Sequence, residues 1–148
     1  MTWRRLLRTI IRVLIVVSRF GLAAMFLFAA GAKLYTARDF AANVANLVGA
    51  NWSWPVTVLV IAVELLAALL LIAPCTVRLG AALAALLLVG FAAYALFYVY
   101  VQHGEPLECG CFGGIIASQL GVKTALRNLA LLVPALLVLF GSKRERMP

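Results

Sequence analysis

Four long apolar segments constrain this chain more than any other feature of its sequence. A helix needs about 20 predominantly apolar residues to cross the hydrocarbon core of a bilayer. Four segments meet this requirement and predict membrane-spanning helices at about 10–33, 54–74, 78–102 and 124–141. None of them alternates apolar and polar residues as a barrel strand does, which favours helices over a β-barrel. The sequence therefore predicts an all-α integral membrane four-helix bundle, with residues 1–148 forming a single transmembrane domain.

Composition excludes the other broad classes of protein. Apolar residues make up 66% of the 148 residues and charged residues 12%, whereas soluble domains are about half apolar and a quarter charged. The chain is therefore too apolar to be a soluble or disordered protein. Its three cysteines are too few for a disulfide scaffold. In such a chain the net charge of +8 indicates membrane topology, and no nucleic-acid partner is expected.

The basic residues predict how the bundle is oriented in the membrane. Eight of them belong to one side: Arg4, Arg5, Arg8, Arg12, Arg78, Lys143, Arg144 and Arg146. Only Lys33, Arg38, Lys123 and Arg127 belong to the other side. The positive-inside rule then predicts cytoplasmic termini and extracytoplasmic loops at 34–53 and 103–123, in a bacterial plasma membrane. Ser18 and Arg19 interrupt the first apolar segment, so we expect a retained helix there rather than a cleaved signal peptide.

The first extracytoplasmic loop contains a further helical pattern. Phe40, Val44 and Leu47 recur at helical spacing and share one face. This spacing predicts a short interfacial helix within loop 34–53.

The segment ECGCFGG at 108–114 carries the chemistry of the second loop. Cys109 and Cys111 flank a single glycine on the predicted outer side, where disulfides persist. Their Cα atoms lie at most about 7 Å apart in an extended chain, at the edge of what a disulfide spans. A strained bond of this kind is easily reduced and closes almost no loop, so it suits electron exchange better than structural stapling. The alternatives are two inert thiols or a zinc half-site with His103. Because zinc prefers four ligands, no metal is expected.

Five short patterns are spread along the chain: Lys33-Leu34, Phe40, Glu64-Leu65, CGCFG at 109–113, and Arg127-Asn128. Together they resemble the MauE family of four-helix membrane proteins, which is related to the DoxX-like proteins. CGCFG is the specific part, and the resemblance covers about residues 15–140. It implies methylamine utilisation or, more generally, disulfide chemistry beside a thioredoxin-like extracytoplasmic partner.

Two other functions stay open at this point. MauE-like proteins are associated with maturation of a disulfide-rich dehydrogenase subunit, so one alternative is a non-enzymatic assembly or maturation factor for a client of the methylamine dehydrogenase type. The other alternative is a membrane protein that binds a small solute or a metal.

Membrane disulfide oxidases that use a quinone also place cysteines at the outer face of a four-helix bundle, and they commonly have a second shuttle pair. Here the remaining cysteine, Cys75, lies in the predicted cytoplasmic turn, a full bilayer away from the other two. We therefore expect direct exchange between the Cys109/Cys111 pair and a partner protein. A quinone ring would fit beside a helical stripe of aromatic side chains, although such stripes usually serve packing. The stripe consists of Phe91, Tyr94, Phe97 and Tyr98. Its candidates for binding a quinone are Phe91, Tyr94 and Tyr98.

Two residues near the cysteines are candidates to assist thiol chemistry. Arg127 follows the pair at the start of the last helix, and a nearby cation favours the thiolate form of a cysteine. His103 ends the third span and is suited to accept a thiol proton. The alternative for Arg127 is ordinary snorkelling at the interface, and for His103 it is a solvated side chain.

Glu64 is the one acidic residue inside a predicted span. An ionisable residue at the bilayer centre costs about 2.5–3.5 kcal/mol on insertion scales, so a partner is expected. Placing Ala32 level with Pro55 brings Arg19 within reach of Glu64 and puts Lys33 too far away for a direct pair. This alignment predicts a Glu64–Arg19 pair that fixes helix packing. The alternative is a proton-handling carboxyl beside a quinone.

Overall fold

The computed structural model describes residues 2–101 and 122–142, and all the regular structure within them is helical. The helices are α1 (Thr2–Tyr35), α2 (Ala37–Val48), α3 (Ala50–Ile72), α4 (Val77–Tyr100) and α5 (Val122–Gly141). All except α2 are long and apolar enough to cross a membrane. The predicted all-α membrane protein with four spanning helices is therefore confirmed.

The four long helices pack in a ring. α1 contacts α3 and α5, α4 contacts the same two helices, and α1 and α4 face each other across the bundle. The end where α1 begins, α3 turns into α4 and α5 stops is called the terminal end here. The opposite end is called the loop end, and it carries α2 and the points where α4 stops and α5 starts. The membrane side that each end faces stays a prediction.

Small side chains allow these helices to approach closely. Ala68, Ala81, Ala84 and Ala135 are fully buried, and Phe26 fills space in the same core cluster. In a lipid environment, where lipid tails are as apolar as leucine, helices associate through van der Waals packing, which small residues promote by letting backbones come together. The sequence thus builds a tight bundle from alanine rather than from large core residues.

α1 begins at Thr2, well before the predicted start near residue 10. Its 34 residues extend about 51 Å, which exceeds the roughly 30 Å hydrocarbon core. The added turns contain Arg4, Arg5 and Arg8, and arginine is a good helix former. The prediction counted only apolar residues and therefore missed a helix that continues beyond the apolar span.

α2 is the short helix predicted in the first long loop. Its 12 residues are too few to span a bilayer. Val44, from the predicted face, is buried together with Ala41, whereas Leu47 is 46% exposed. Gly49, with a φ of 84°, separates α2 from α3 without a longer loop. Glycine adopts this left-handed conformation without the steric cost that a side chain brings.

Candidate functional site

A buried ion pair joins α1 to α3 inside the bundle. The Nζ atom of Lys33 donates a hydrogen bond to Oε1 of Glu64 at 2.7 Å. Both residues have no exposed surface. A charge removed from water needs a partner of opposite sign, and each of these residues supplies the other's. The pair is therefore the charged centre of the membrane-spanning bundle.

Two aromatic rings flank the Lys33 ammonium. Its Nζ atom lies 5.5 Å from the ring centre of Phe40 and 5.2 Å from that of Phe91. A cation within about 6 Å of an aromatic ring centre is attracted by the negative face of the ring. Phe40 belongs to α2 and Phe91 to α4, so four helices contribute one side chain each to this cluster. We call Lys33, Phe40, Glu64 and Phe91 the ion-pair cluster.

The predicted Glu64–Arg19 pair and the prediction that Lys33 is too distant are both wrong. Arg19 instead donates hydrogen bonds to the backbone carbonyl oxygens of Leu71 and Ile72. These carbonyls end α3, where backbone acceptors lack helical donors and a cation is favourable. Arg19 therefore caps α3 at the terminal end of the bundle.

The direction in which side chains leave a helix explains this correction. The Cα–Cβ bond tilts toward the N-terminus of a helix. Because α1 and α3 run antiparallel, Lys33 leans toward the terminal end and Glu64 toward the loop end, so the two side chains converge. Arg19 also leans toward the terminal end, away from Glu64. The prediction compared backbone depths and left out this tilt.

Several buried polar atoms inside the bundle have no hydrogen-bond partner among the described residues. They are Oε2 of Glu64, Oγ1 of Thr57 and Nδ2 of Asn128. Thr57 precedes Glu64 by two turns on the buried face of α3, and Asn128 is buried in α5. The interior of the bundle thus retains hydrogen-bonding capacity beyond the ion pair itself.

The aromatic stripe on α4 divides into two environments. Phe91 belongs to the ion-pair cluster, and Tyr94 is half-buried. Tyr98 is 7% exposed and packs with Ala92, Ala95 and Ala125 in a core cluster between α4 and α5. The rings of Tyr94 and Tyr98 are tilted, with centres 6.4 Å apart. Phe91 therefore lies nearest to the charged centre, whereas Tyr98 contributes to helix packing.

The remaining predicted site residues are only partly covered by the structure. Arg127 lies half-buried in the second turn of α5, beside Asn128. Cys75 is exposed in the turn between α3 and α4, at the terminal end. Cys109, Cys111 and His103 lie outside the described residues.

Three of the five sequence patterns thus meet in one place, because Phe40 and Glu64 both lie against Lys33. Asn128, from a fourth pattern, is buried in α5. A family model described as "Methylamine utilisation protein MauE" matches residues 11–141 of the chain.

The chain belongs to the MauE family. No curated protein and no solved structure matches it. The family match spans all of the helices except the first turns of α1, so it includes every residue of the ion-pair cluster. The family assignment and the structure therefore concern the same bundle.

Sequence reasoning left four polar or aromatic residues out of the site: Lys33, Phe40, Thr57 and Asn128. Three of them, Lys33, Phe40 and Asn128, belong to the patterns that carry the MauE resemblance, and these patterns were the signal that could have found them. Lys33 was excluded as the partner of Glu64 because the backbone alignment placed it too far away. Thr57 gave no signal because a lone threonine in an apolar helix is common. The ion-pair cluster offers a buried cation, a carboxylate with a spare acceptor oxygen, and two adjacent aromatic rings.

Proposed function

We propose that this MauE-family protein is a membrane thiol–disulfide redox protein. In this proposal Cys109 and Cys111 exchange electrons between a thioredoxin-like extracytoplasmic protein and a quinone in the bacterial plasma membrane. The observation that carries the proposal is the Lys33–Glu64 pair, which is fully buried inside the membrane-spanning bundle. Intramembrane ionisable residues generally mark proton or substrate sites. Dithiol oxidation by a quinone moves protons as well as electrons and therefore needs such a group.

The exchange proceeds in two balanced stages. In the oxidising direction, a thiolate of the partner attacks the Cys109–Cys111 disulfide, whose S–S bond breaks as a mixed disulfide forms on Cys109. A second partner thiolate attacks the mixed disulfide, which releases an oxidised partner and leaves the pair reduced. When the pair re-forms its disulfide, it gives up two electrons and two protons. A membrane quinone, when bound, would be the oxidant, because its reduction to quinol takes up two electrons and two protons.

Residues of this chain have distinct tasks in this scheme. Arg127 and the N-terminus of α5 favour a thiolate in the preceding loop, because both are positive. His103 accepts the thiol proton. Glu64 holds a proton at the layer of the ion-pair cluster, where its Oε2 atom has no other hydrogen-bond partner among the described residues. A carboxylate that both pairs with Lys33 and keeps an open acceptor is suited to this task.

The described aromatic side chains are compatible with a quinone beside the cluster. Phe91 and Tyr94 are half-buried and occupy one side of α4. Lys33 would donate a hydrogen bond to a quinone bound there, since its Nζ atom is a donor and lies 5.2 Å from the Phe91 ring centre. Tyr98 is packed into the core, so we assign it a supporting role behind Tyr94.

Trapping of a covalent intermediate tests the exchange. The residue before Cys109 is a glutamate and the residue after Cys111 is a phenylalanine, so we assign Cys109 to the partner and Cys111 to the bundle side. The exchange is reversible, and in the reverse direction Cys109 attacks the disulfide of an oxidised partner while Cys111 resolves the resulting mixed disulfide. Cys111→Ser removes this resolving sulfur and should accumulate a mixed disulfide with a thioredoxin-like protein. Cys109→Ser should not. Cys75→Ser is the matched control and should behave as the unmodified protein does.

The trapping experiment also distinguishes the proposal from its alternatives. A mixed disulfide on Cys109→Ser alone would exchange the roles of the two cysteines. If neither variant traps a partner and both retain function, redox exchange fails. The protein is then better described as a non-enzymatic assembly factor, a role that the methylamine-utilisation description of its family favours.

A further inference from the structure

A groove of about 890 Å³ lies between α1 and α5 at the terminal end of the bundle, far from the ion-pair cluster. Its apolar wall on α5 is formed by Val133, Leu136, Leu137 and Phe140. Arg8 and Arg12 of α1 also line it. Since α5 is a membrane-spanning helix, its exposed side faces lipid. The groove therefore combines a lipid-facing apolar wall with two cations.

The two arginines lie beyond the end of α5. Gly141 is in contact with Ile15, since a Cβ atom on the glycine would overlap the Ile15 side chain. α1 continues past this level toward its N-terminus. At about 1.5 Å per residue, Arg12 lies about 4.5 Å and Arg8 about 10 Å farther along the helix than Ile15. The apolar wall thus belongs to the spanning part of the bundle, and the arginines to the level where lipid headgroups begin.

Arg8 and Arg12 share one face of α1, because residues four apart are neighbours on a helix. Guanidinium groups bind phosphate through paired hydrogen bonds in a fixed planar geometry. Two such groups above an apolar wall match the two parts of a phospholipid, a phosphate and an acyl chain. Two cations at one rim favour a lipid that carries net negative charge.

We propose that this groove is a binding site for an anionic phospholipid, whose phosphate is held by Arg8 and Arg12 and whose acyl chain lies against Val133 and Leu137 of α5. A second copy of the chain fits the groove less well. A two-fold interface places the same surface of both copies together, and this would bring four guanidinium groups to one rim. The proposal is independent of the redox chemistry proposed for the cysteines.

Lipid titration of the purified full-length protein, followed by native mass spectrometry, tests the charged part of the site. The probes are phosphatidylglycerol and phosphatidylcholine with identical acyl chains. The unmodified protein should retain phosphatidylglycerol preferentially. Arg8→Gln combined with Arg12→Gln should weaken that binding by about tenfold, because charge-assisted hydrogen bonds are the stronger ones. The matched control is Arg4→Gln combined with Arg5→Gln, which removes the same charge from α1 outside the groove and should retain binding.

A second pair of variants tests the apolar part without any change of charge. Val133 is 59% exposed in the groove, and Leu129 is 47% exposed one turn away on α5 outside it. Val133→Trp should fill the groove and reduce lipid retention, whereas Leu129→Trp should not. Equal retention of both lipids, or equal losses in the Arg4/Arg5 and Arg8/Arg12 variants, would overturn the site. A stable dimer that Val133→Trp disrupts would overturn it as well, because the groove would then be an interface between copies.

Discussion

Lys33 and Glu64 form a 2.7 Å ion pair between α1 and α3, with neither side chain reaching the surface. Phe40 and Phe91 cover the ammonium from α2 and α4. The short helix α2 therefore belongs to the bundle, since it contributes one of the two rings at the charged centre. A pair held by four helices ties the packing of the bundle to the charge state of two residues.

Removal of one partner of this pair should destabilise the bundle. Lys33→Met leaves Glu64 buried without its cation, and loss of one partner of a buried pair costs about 3–5 kcal/mol. The double variant Lys33→Met with Glu64→Leu should recover most of that loss, because no buried charge remains. Unfolding in mixed micelles measures both. Arg38→Met, which changes an exposed residue of α2, serves as the control and should have little effect.

The same double variant separates a structural role from a functional one. If the pair only fixes packing, a folded double variant should keep its function. We expect it to lose function while folding normally, because Glu64 is proposed to hold a proton. Function is measured as the fraction of Cys109 and Cys111 that is reduced in cells, which alkylation of free thiols determines. A folded double variant with the wild-type reduced fraction would remove Glu64 from the mechanism.

Arg19→Gln should weaken the terminal end of α3. Arg19 donates to the carbonyls of Leu71 and Ile72, and hydrogen bonds to charged groups contribute about 1.5–3 kcal/mol each when both partners are buried. Arg19 is only half-buried, so we expect a total loss of about 1–2 kcal/mol in the same unfolding assay. Arg5→Gln, an exposed arginine on the same helix, is the comparison. Equal stabilities of these two variants would mean that the Arg19 cap contributes nothing.

Gly80→Ala should push α3 and α4 apart where they are closest and thereby destabilise the bundle. A Cβ atom at this position would lie 2.6 Å from the backbone nitrogen of Leu71 and 2.8 Å from the carbonyl carbon of Leu70. Backbone atoms cannot move aside as a flexible side chain can, and overpacking of this kind costs about 1–3 kcal/mol. Gly90→Ala on the same helix meets nothing within 4 Å and should be tolerated. Equal unfolding of the two variants would show that the close approach at Gly80 is not required.

Cysteine labelling in intact cells tests the predicted orientation. The excess of basic residues predicts that the terminal end faces the cytoplasm. A membrane-impermeant maleimide should then label reduced Cys109 or Cys111 and spare Cys75. Cys75 is exposed in its turn, so it should react once the membrane is opened with detergent, which is the internal control. Labelling of Cys75 alone in intact cells would reverse the orientation and place the cysteine pair in a reducing compartment.

The sequence alone determined the number and type of the spanning helices. A segment in hydrocarbon must be apolar over its whole length and must satisfy its backbone hydrogen bonds internally, and both conditions are local. The same local reasoning found α2 and the face that holds Phe40 and Val44, but it missed that Ala41 is buried as well, since the contact with α3 decides which residues of α2 are covered. It also began α1 too late, because arginines continue a helix without adding to its apolar length.

Only the tertiary structure decided which charges meet. Arg19 and Lys33 are both cations on α1, and their order in the sequence does not say which of them reaches Glu64. That choice depends on how α1 and α3 are aligned and on the tilt of each side chain toward its own helix N-terminus. The tilt brings Lys33 and Glu64 together and sends Arg19 to the carbonyls that end α3. A contact between two helices is set by their relative placement, which the periodicity of either helix alone does not contain.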